Sequence, residues 1–394
     1  MNAGQRVRLG DVCAISSALI DPRRAQYLHM PHVGGANIES TTGKLIALRS
    51  AEEEGLKSGK FLFDERMVLY SKIRPYLMKV ARPDFRGLCS ADIYPLSPID
   101  GRLDRTFLFH LLLAPTFTEY AITGSARAGM PKVNRDHLFA FEFQLPPLPE
   151  QQRIVGILDE AFEGIATAKA NAEKNLQNAR ALFESHLQSV FAEAWQRCEL
   201  VTLSNVAADI TDGDHLPPPK APTGVPFITI GNIAKDTRKI DFADTFMVPR
   251  AYFDGLKPNR KPRRGDLLYT VTGSFGIPVI VDGGVEFCFQ RHIGLIRPKP
   301  ETDSSWLYYL LLSPQVLKQA NERATGAAQK TVSLKALRGF TVPHVPLPQQ
   351  RAAVTKLDAL SEETQRLASI YERKLTALEA LKKSLLHQAF SGQL

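Results

Sequence analysis

What this chain lacks narrows its class. It has four cysteines, Cys13, Cys89, Cys198 and Cys288, with no C-x-x-C pair and no framework spacing, so neither a disulfide scaffold nor a zinc site is expected. Each reads as a small buried hydrophobe in a reducing, cytoplasmic setting. The longest apolar stretches, Leu108 to Ala114 and Trp306 to Leu312, fall far short of the ~20 residues that cross a bilayer. No membrane span is expected. Arg6 and Arg8 are followed by no apolar segment, so no secretory signal is read there either. Also missing are a G-x-x-x-x-G-K-[ST] phosphate loop, an Asn- or Asp-Pro-Pro-aromatic motif, an F-x-G-x-G loop and any His/Cys pair at metal-ligand spacing. Gly273-Ser274-Phe275-Gly276 is too short a glycine loop for a nucleotide. Asp212-Gly213-Asp214-His215 runs straight into Pro217-Pro218-Pro219 and reads as a turn before it reads as a metal site.

At 394 residues the chain exceeds one ordinary core, and two or more domains are expected. Hydrophobic residues at 44% and charged residues at 23% are ordinary globular values.

The dominant feature is a repeat. Leu148-Pro149-Glu150-Gln151-Gln152 recurs as Leu347-Pro348-Gln349-Gln350-Arg351, a gapless offset of 199 residues. Val155, Leu158-Asp159, Glu173, Leu176, Leu182, Ser185, Leu187 and Phe191 meet identical residues at that offset, so the register holds for more than forty residues. Proline opens each copy and glycine is almost absent, which predicts two long helices. In the second, Leu357, Leu360, Leu367, Tyr371, Leu378, Leu381 and Leu385 follow the three-four alternation of a coiled-coil seam. The first places Leu158, Ala161, Ile165, Ala168, Ala172, Ala179 and Leu182 on the equivalent seam. Small residues there allow close approach, and the two helices are expected to pair antiparallel.

The stretches ahead of the helices repeat more loosely. Val7 to Val12 parallels Val201 to Val206, Phe107 to Pro115 parallels Trp306 to Pro314, and Lys132-Val133 parallels Lys330-Thr331-Val332. Short β-rich runs, Met67 to Ser71, Gly224 to Ile230, Asp266 to Val271 and Ile277 to Val281, lie among turn residues with a helix near each module's end. The expected fold is therefore α/β (α+β): two similar domains joined by two long antiparallel coiled-coil helices, a pseudo-two-fold tandem repeat. Its boundaries read as 1–147, helix 148–197, 198–344 and helix 345–394.

The formal charge of +8 belongs to the modules. Residues 1–147 carry 19 Lys and Arg against 15 Asp and Glu, and residues 198–346 carry 18 against 14, whereas the helix regions together balance. A polyanionic partner fits that distribution. The densest run holds Lys257, Arg260, Lys261, Arg263 and Arg264 within eight residues, extended by proline and suited to phosphates. Arg23, Arg24, Lys72 and Arg74 are smaller counterparts in the first module. Lys132, Asn134, Arg135, Gln290, Arg291 and His292 have the chemistry to read bases, Arg at guanine and Asn or Gln at adenine. They equally suit turns and strand edges that bond the backbone. Arg127, Ser274 and Lys330 complete the DNA-contact candidates.

Taken together, Pro146 to Ile154 (PPLPEQQRI) with its helix and Pro346 to Arg351 (PLPQQR) with the second resemble the type I restriction-modification specificity subunits. Thr211 to Pro217, Pro226-Phe227-Ile228 and Gly231-Asn232-Ile233 look like the opening of their target-recognition domains. The first module departs, with Met30-Pro31-His32-Val33-Gly34 where an aromatic, Ile-rich strand is usual. The resemblance covers the whole chain. It implies a non-catalytic subunit that reads one half of a bipartite double-stranded DNA site with each module, sets the spacing with its helices, holds two methylation subunits and recruits restriction/translocase subunits. S-adenosylmethionine, ATP and Mg would then be bound by those partners and no cofactor by this chain. Two other classes compete: a self-contained methyltransferase-nuclease, which needs several hundred more motif-bearing residues, and a lone DNA-binding regulator that dimerises through its helices. AdoMet binding by the isolated chain would favour the former, and tight specific DNA binding without partners the latter.

Overall fold

The computed structural model describes residues 4–15, 18–125, 130–327 and 329–394. Two compact units emerge, one of Met1–Lys174 with Tyr371–Leu394 and one of Asn175–Ile370. The long helices, Leu148–Arg197 and Leu347–Ser391, therefore contribute to both units.

In the first unit, a four-stranded antiparallel sheet runs in the order Cys13–Ile15, Ile93–Pro98, Val68–Ser71, Val80–Ala81. A five-stranded sheet orders Leu19–Ile20, Lys60–Phe63, Gly87–Cys89, Pro31–Val33 and Arg49–Ser50, with Pro31–Val33 parallel to Gly87–Cys89. The second unit repeats the first sheet as Ala207–Asp212, Ile293–Pro298, Leu267–Thr270, Pro278–Ile280. The parallel pairing recurs too, between Val225–Ile228 and Cys288–Phe289. Because His32 pairs with Leu88 and Phe227 with Cys288, the divergent first-module strand sits where the aromatic strand sits in the second. The departure seen in sequence is one of side chain, not of backbone.

Each sheet is closed by the same helical device. Asp104 caps Arg105–Leu113 by accepting from the backbone N–H groups of Thr106 and Phe107, and Asp303 caps Ser304–Leu312 through Ser305 and Trp306. A carboxylate there meets the orphan donors and the positive end of the helix dipole. A second helix comes directly after, Pro115–Thr123 or Pro314–Arg323, with proline at its start, where the missing N–H costs nothing.

The long helices pack against these modules and against each other. In the first unit Ile154 and Leu158 share one core with Leu386 and Ala389, and Lys169 pairs with Glu379 at 3.6 Å, so the two segments run antiparallel. In the second, Leu187, Phe191 and Ala194 share a core with Val354 and Leu357. Cross-ties fix each module to a helix: His110 to Asp159 at 2.8 Å in the first, Tyr309 to Asp358 at 2.6 Å in the second.

Leu158, Ala172, Ala179 and Leu357 are buried as the seam requires, and Ile165, Leu360, Leu367, Tyr371, Leu378 and Leu385 are half-buried. Leu182 and Leu381 are not on it. They are 53% and 47% exposed, a correction to the heptad reading. Just there the inward row steps by four, through Ala179, Phe183 and Leu187 and through Leu378, Lys382 and Leu386. That tracks the natural 3.6-residue turn and drifts off a strict 3.5-residue repeat.

Candidate nucleic-acid interface

At one sheet edge of each unit three segments are laced by equivalent backbone bonds. In the first, the N–H of Lys72 donates to the Asp92 carbonyl (3.1 Å), Val133 to Lys72 (2.9 Å) and Arg74 to Pro131 (2.9 Å). In the second, Val271 donates to His292 (2.9 Å), Val332 to Val271 (2.8 Å) and Gly273 to Lys330 (3.0 Å). Ser90-Ala91-Asp92 thus occupies the backbone of Gln290-Arg291-His292. Ser90 donates to Val33 and Gln290 to Ile228, each at 3.0 Å.

The side chains differ. In the first unit the cations come from the other two segments. The Lys72 ammonium lies 5.0 Å and the Arg135 guanidinium 6.0 Å from the ring centre of Tyr94, and Lys132 is close enough for its charge to act on Lys72. Burial pushes the Lys72 ammonium below the ordinary lysine value, and the charges of Lys132 and Arg135 add to that. Lys72 donates to the Ala91 carbonyl and lies 3.8 Å from Asp92. In the second unit Val271, Thr331 and Leu334 stand in place of those three cations. The positive charge moves to the third segment, where Arg291 is exposed and its charge, after burial, helps hold the His292 imidazole below its usual value. Ser274 and Lys330, on the other two segments, are exposed as well.

Several sequence candidates have structural work. Asn134 caps Arg135–Phe139, accepting from the His137 N–H at 2.7 Å, as Ser333 caps Leu334–Arg338. Arg23 forms a bidentate pair with Asp21, both contacts 2.9 Å, and that guanidinium holds the Asp21 carboxyl down to about 2. Arg24 is exposed. Arg127 lies outside the described residues.

The run 257–264 divides in two. Arg260 sits between Asp212 and Asp214, 3.5 Å from each, while His215 meets Asp212 at 2.8 Å and the Tyr252 hydroxyl donates to Asp214 at 2.6 Å. The Lys261 ammonium donates to the Asp254 carbonyl at 2.8 Å and lies over the Phe253 ring. Lys257, Arg263 and Arg264 are exposed. Arg260 and Lys261 thus hold the Asp212–His215 turn and a helix end, leaving the other three cations facing outward.

Not legible in the sequence are the Tyr94 platform, the exposed Tyr76 and Met130, at 52% and 57%, and Leu216, at 79% the most exposed of the large hydrophobics among the described residues. Tyr76 lies two residues beyond the candidate Arg74, but only the fold shows it exposed. No helix among the described residues is long and apolar enough to cross a membrane.

Two modules of one scaffold, each on a pair of long helices, define a duplicated recognition subunit. Residues 4–177 and 199–372 each match the family described as Type I restriction modification DNA specificity domain, and the chain belongs to that family. Among relatives, it is 37% identical to the type I restriction enzyme EcoDI specificity subunit of Escherichia coli over 190 residues, 48% of this chain and 41% of that one. The MjaVIII specificity subunit of Methanocaldococcus jannaschii is 23% identical over 329 residues, 78% of this chain and 75% of that one. A chain solved in work on complex assembly and conformational transition of the type I R-M system superposes with a TM-score of 0.82 at 22% identity, covering 100% of this chain and 99% of that one. The HsdS subunit of Thermoanaerobacter tengcongensis gives 0.66 at 23%, covering 100% and 98%. The chain is thus a type I specificity subunit with two DNA specificity domains.

Proposed function

We propose that each module reads one half of a split, asymmetric DNA site, that the long helices set the gap between the halves and dock two methylation subunits, and that this chain transfers and cuts nothing itself. S-adenosylmethionine, with ATP and Mg for any restriction/translocase subunits, would serve those partners in the cytoplasm. The observation that carries this reading is the pair of equivalent sheet edges. One backbone framework presents Lys72, Lys132 and Arg135 in one unit and Gln290, Arg291 and His292 in the other. A shared frame with different side chains is what reading two different sequences requires, since base edges are distinguished by donor and acceptor pattern. The test is to map methylated adenines in a host carrying the chain and its methylation partner, then to replace residues 198–346 with the segment of a relative. One half-site should change while the other stays. Both halves changing together, or methyl transfer by the purified chain alone, would overturn the proposal.

A further inference from the structure

The first unit holds a strained hairpin that the second unit builds without strain. Between the strands Val68–Ser71 and Val80–Ala81 the chain turns through Arg74 and Met78, with φ of 51° and 48°. Those are left-handed conformations that a side chain disfavours. In the second unit the equivalent positions are Gly273 and Gly276, φ 67° and 92°, where glycine carries no such penalty; Gly276 precedes Ile277, whose carbonyl accepts from Thr270 as that of Lys79 accepts from Ser71. Arg74 matches Gly273 by its backbone bond, made to Pro131 in one case and to Lys330 in the other. A glycine would serve the turn at position 74, and the chain holds an arginine there.

That arginine is exposed, and among the described residues it has no charged partner. Pro75 is buried and fixes the turn, whereas Tyr76 next to it is 52% exposed. At the hairpin's base Lys72 and Arg135 lie against Tyr94 and Lys132 pairs with Ile73, so basic residues adjoin the exposed Arg74 and Tyr76. We infer that the hairpin tip of Arg74 and Tyr76 is the specificity-determining element of the first unit, with Arg74 reading a guanine edge bidentately and Tyr76 packing on the adjoining base pair. This rests on the proposal that each unit reads one half-site. The second unit has Gly273-Ser274-Phe275-Gly276 at that place and takes its reading groups from Gln290 to His292.

The experiment uses the full chain with its methylation partner and a DNA library randomised in each half of the mapped site. Three variants are compared: Arg74→Gly, Arg74→Lys and Tyr76→Ala. Arg74→Gly installs the residue the second unit already has, so it folds and its melting temperature does not fall. It should nevertheless lose preference at one G·C pair by roughly tenfold or more, with the other half-site untouched. Arg74→Lys, which keeps the charge without the planar fork, should lose the same preference while keeping the salt dependence. Tyr76→Ala should relax the neighbouring position. Arg74→Gly with both half-sites intact would overturn the assignment, as would a uniform loss across all sequences with the log-log salt slope reduced by about one, which marks a phosphate contact. A wild-type complex with no sequence preference would remove the parent reading as well, so the two failures are told apart by the wild type.

Discussion

Gln151 and Gln350 make the same three hydrogen bonds 199 residues apart. The carboxamide of Gln151 accepts from the Asp104 N–H at 2.8 Å and donates to the carbonyls of Arg102 and Pro146 at 2.9 and 2.8 Å. Gln350 accepts from Asp303 at 2.8 Å and donates to Glu301 and Val345 at 3.2 and 2.7 Å. Both are fully or nearly fully buried. Each ties the cap of a module helix to the start of a long helix, which accounts for the repeated glutamine in the sequence.

Removing either side chain leaves a part-buried N–H and two carbonyls without that partner. Gln151→Ala and Gln350→Ala should each destabilise the fold by about 3 kcal/mol, given ~1–3 kcal/mol for each unsatisfied group. Chemical denaturation of the two variants checks this. Losses below ~1 kcal/mol would mean that water replaces the clamp.

The basic run 257–264 should divide by role. Arg263→Ala and Arg264→Ala should each weaken binding to every sequence and lower the log-log salt slope by about one. Arg260→Ala should instead release the Asp212–His215 turn that it holds at 3.5 Å, changing affinity more than slope. Titrations at several salt concentrations separate the two. Equal slope losses in all three variants would place Arg260 on phosphate as well.

His32 should make the first unit acid-sensitive. It is buried, and burial pushes its imidazole below the usual value, against the opposing pull of Glu54 at 2.7 Å. A depressed folded pKa means that the unfolded chain takes up the proton first as pH falls. The contribution is therefore complete above the ordinary histidine value of ~6.5 and is lost as pH drops from there toward the folded value. His32→Phe with Glu54→Gln, which supplies the aromatic found at Phe227, should flatten that loss. Thermal melts between pH 7 and pH 5 measure it, and an unchanged profile would sink the assignment to His32.

If the helices set the gap between half-sites, its length should scale with theirs. Four residues added between Ala168 and Ala179, matched by four between Leu367 and Leu378, lengthen each helix by ~6 Å, nearly two base pairs at ~3.4 Å, and almost keep helical phase. Methylome sequencing should then show both half-sites with a longer gap. Two added residues rotate the downstream part of each helix by about 200° and should abolish activity. An active four-residue variant with an unchanged gap would refute the ruler.

The repeat, the two long helices and several core strands are legible in sequence because each rests on periodicity or on local turn chemistry. Val68–Ser71, Val225–Ile228, Leu267–Thr270 and Pro278–Ile280 fall inside the β-rich runs. The features that escaped depend on tertiary partners. Leu182 and Leu381 match a heptad, but only packing shows the row stepping by four past them. Arg260 looks like its neighbours in a charge run until Asp212 and Asp214, more than forty residues earlier, are seen on either side of it. The sequence sets Met30 to Gly34 at the place of the aromatic strand, and only strand pairing sets His32 at the register of Phe227.

The common backbone of Ser90-Ala91-Asp92 and Gln290-Arg291-His292 has a consequence for how such a protein changes. Main-chain groups hold that segment in place, so its exposed side chains carry little of the fold's stability. Exchanging them leaves the cores untouched. Diversity at this edge is nearly free of folding cost, and a lineage can acquire a new sequence preference in few steps while every helix and strand beneath it stays the same.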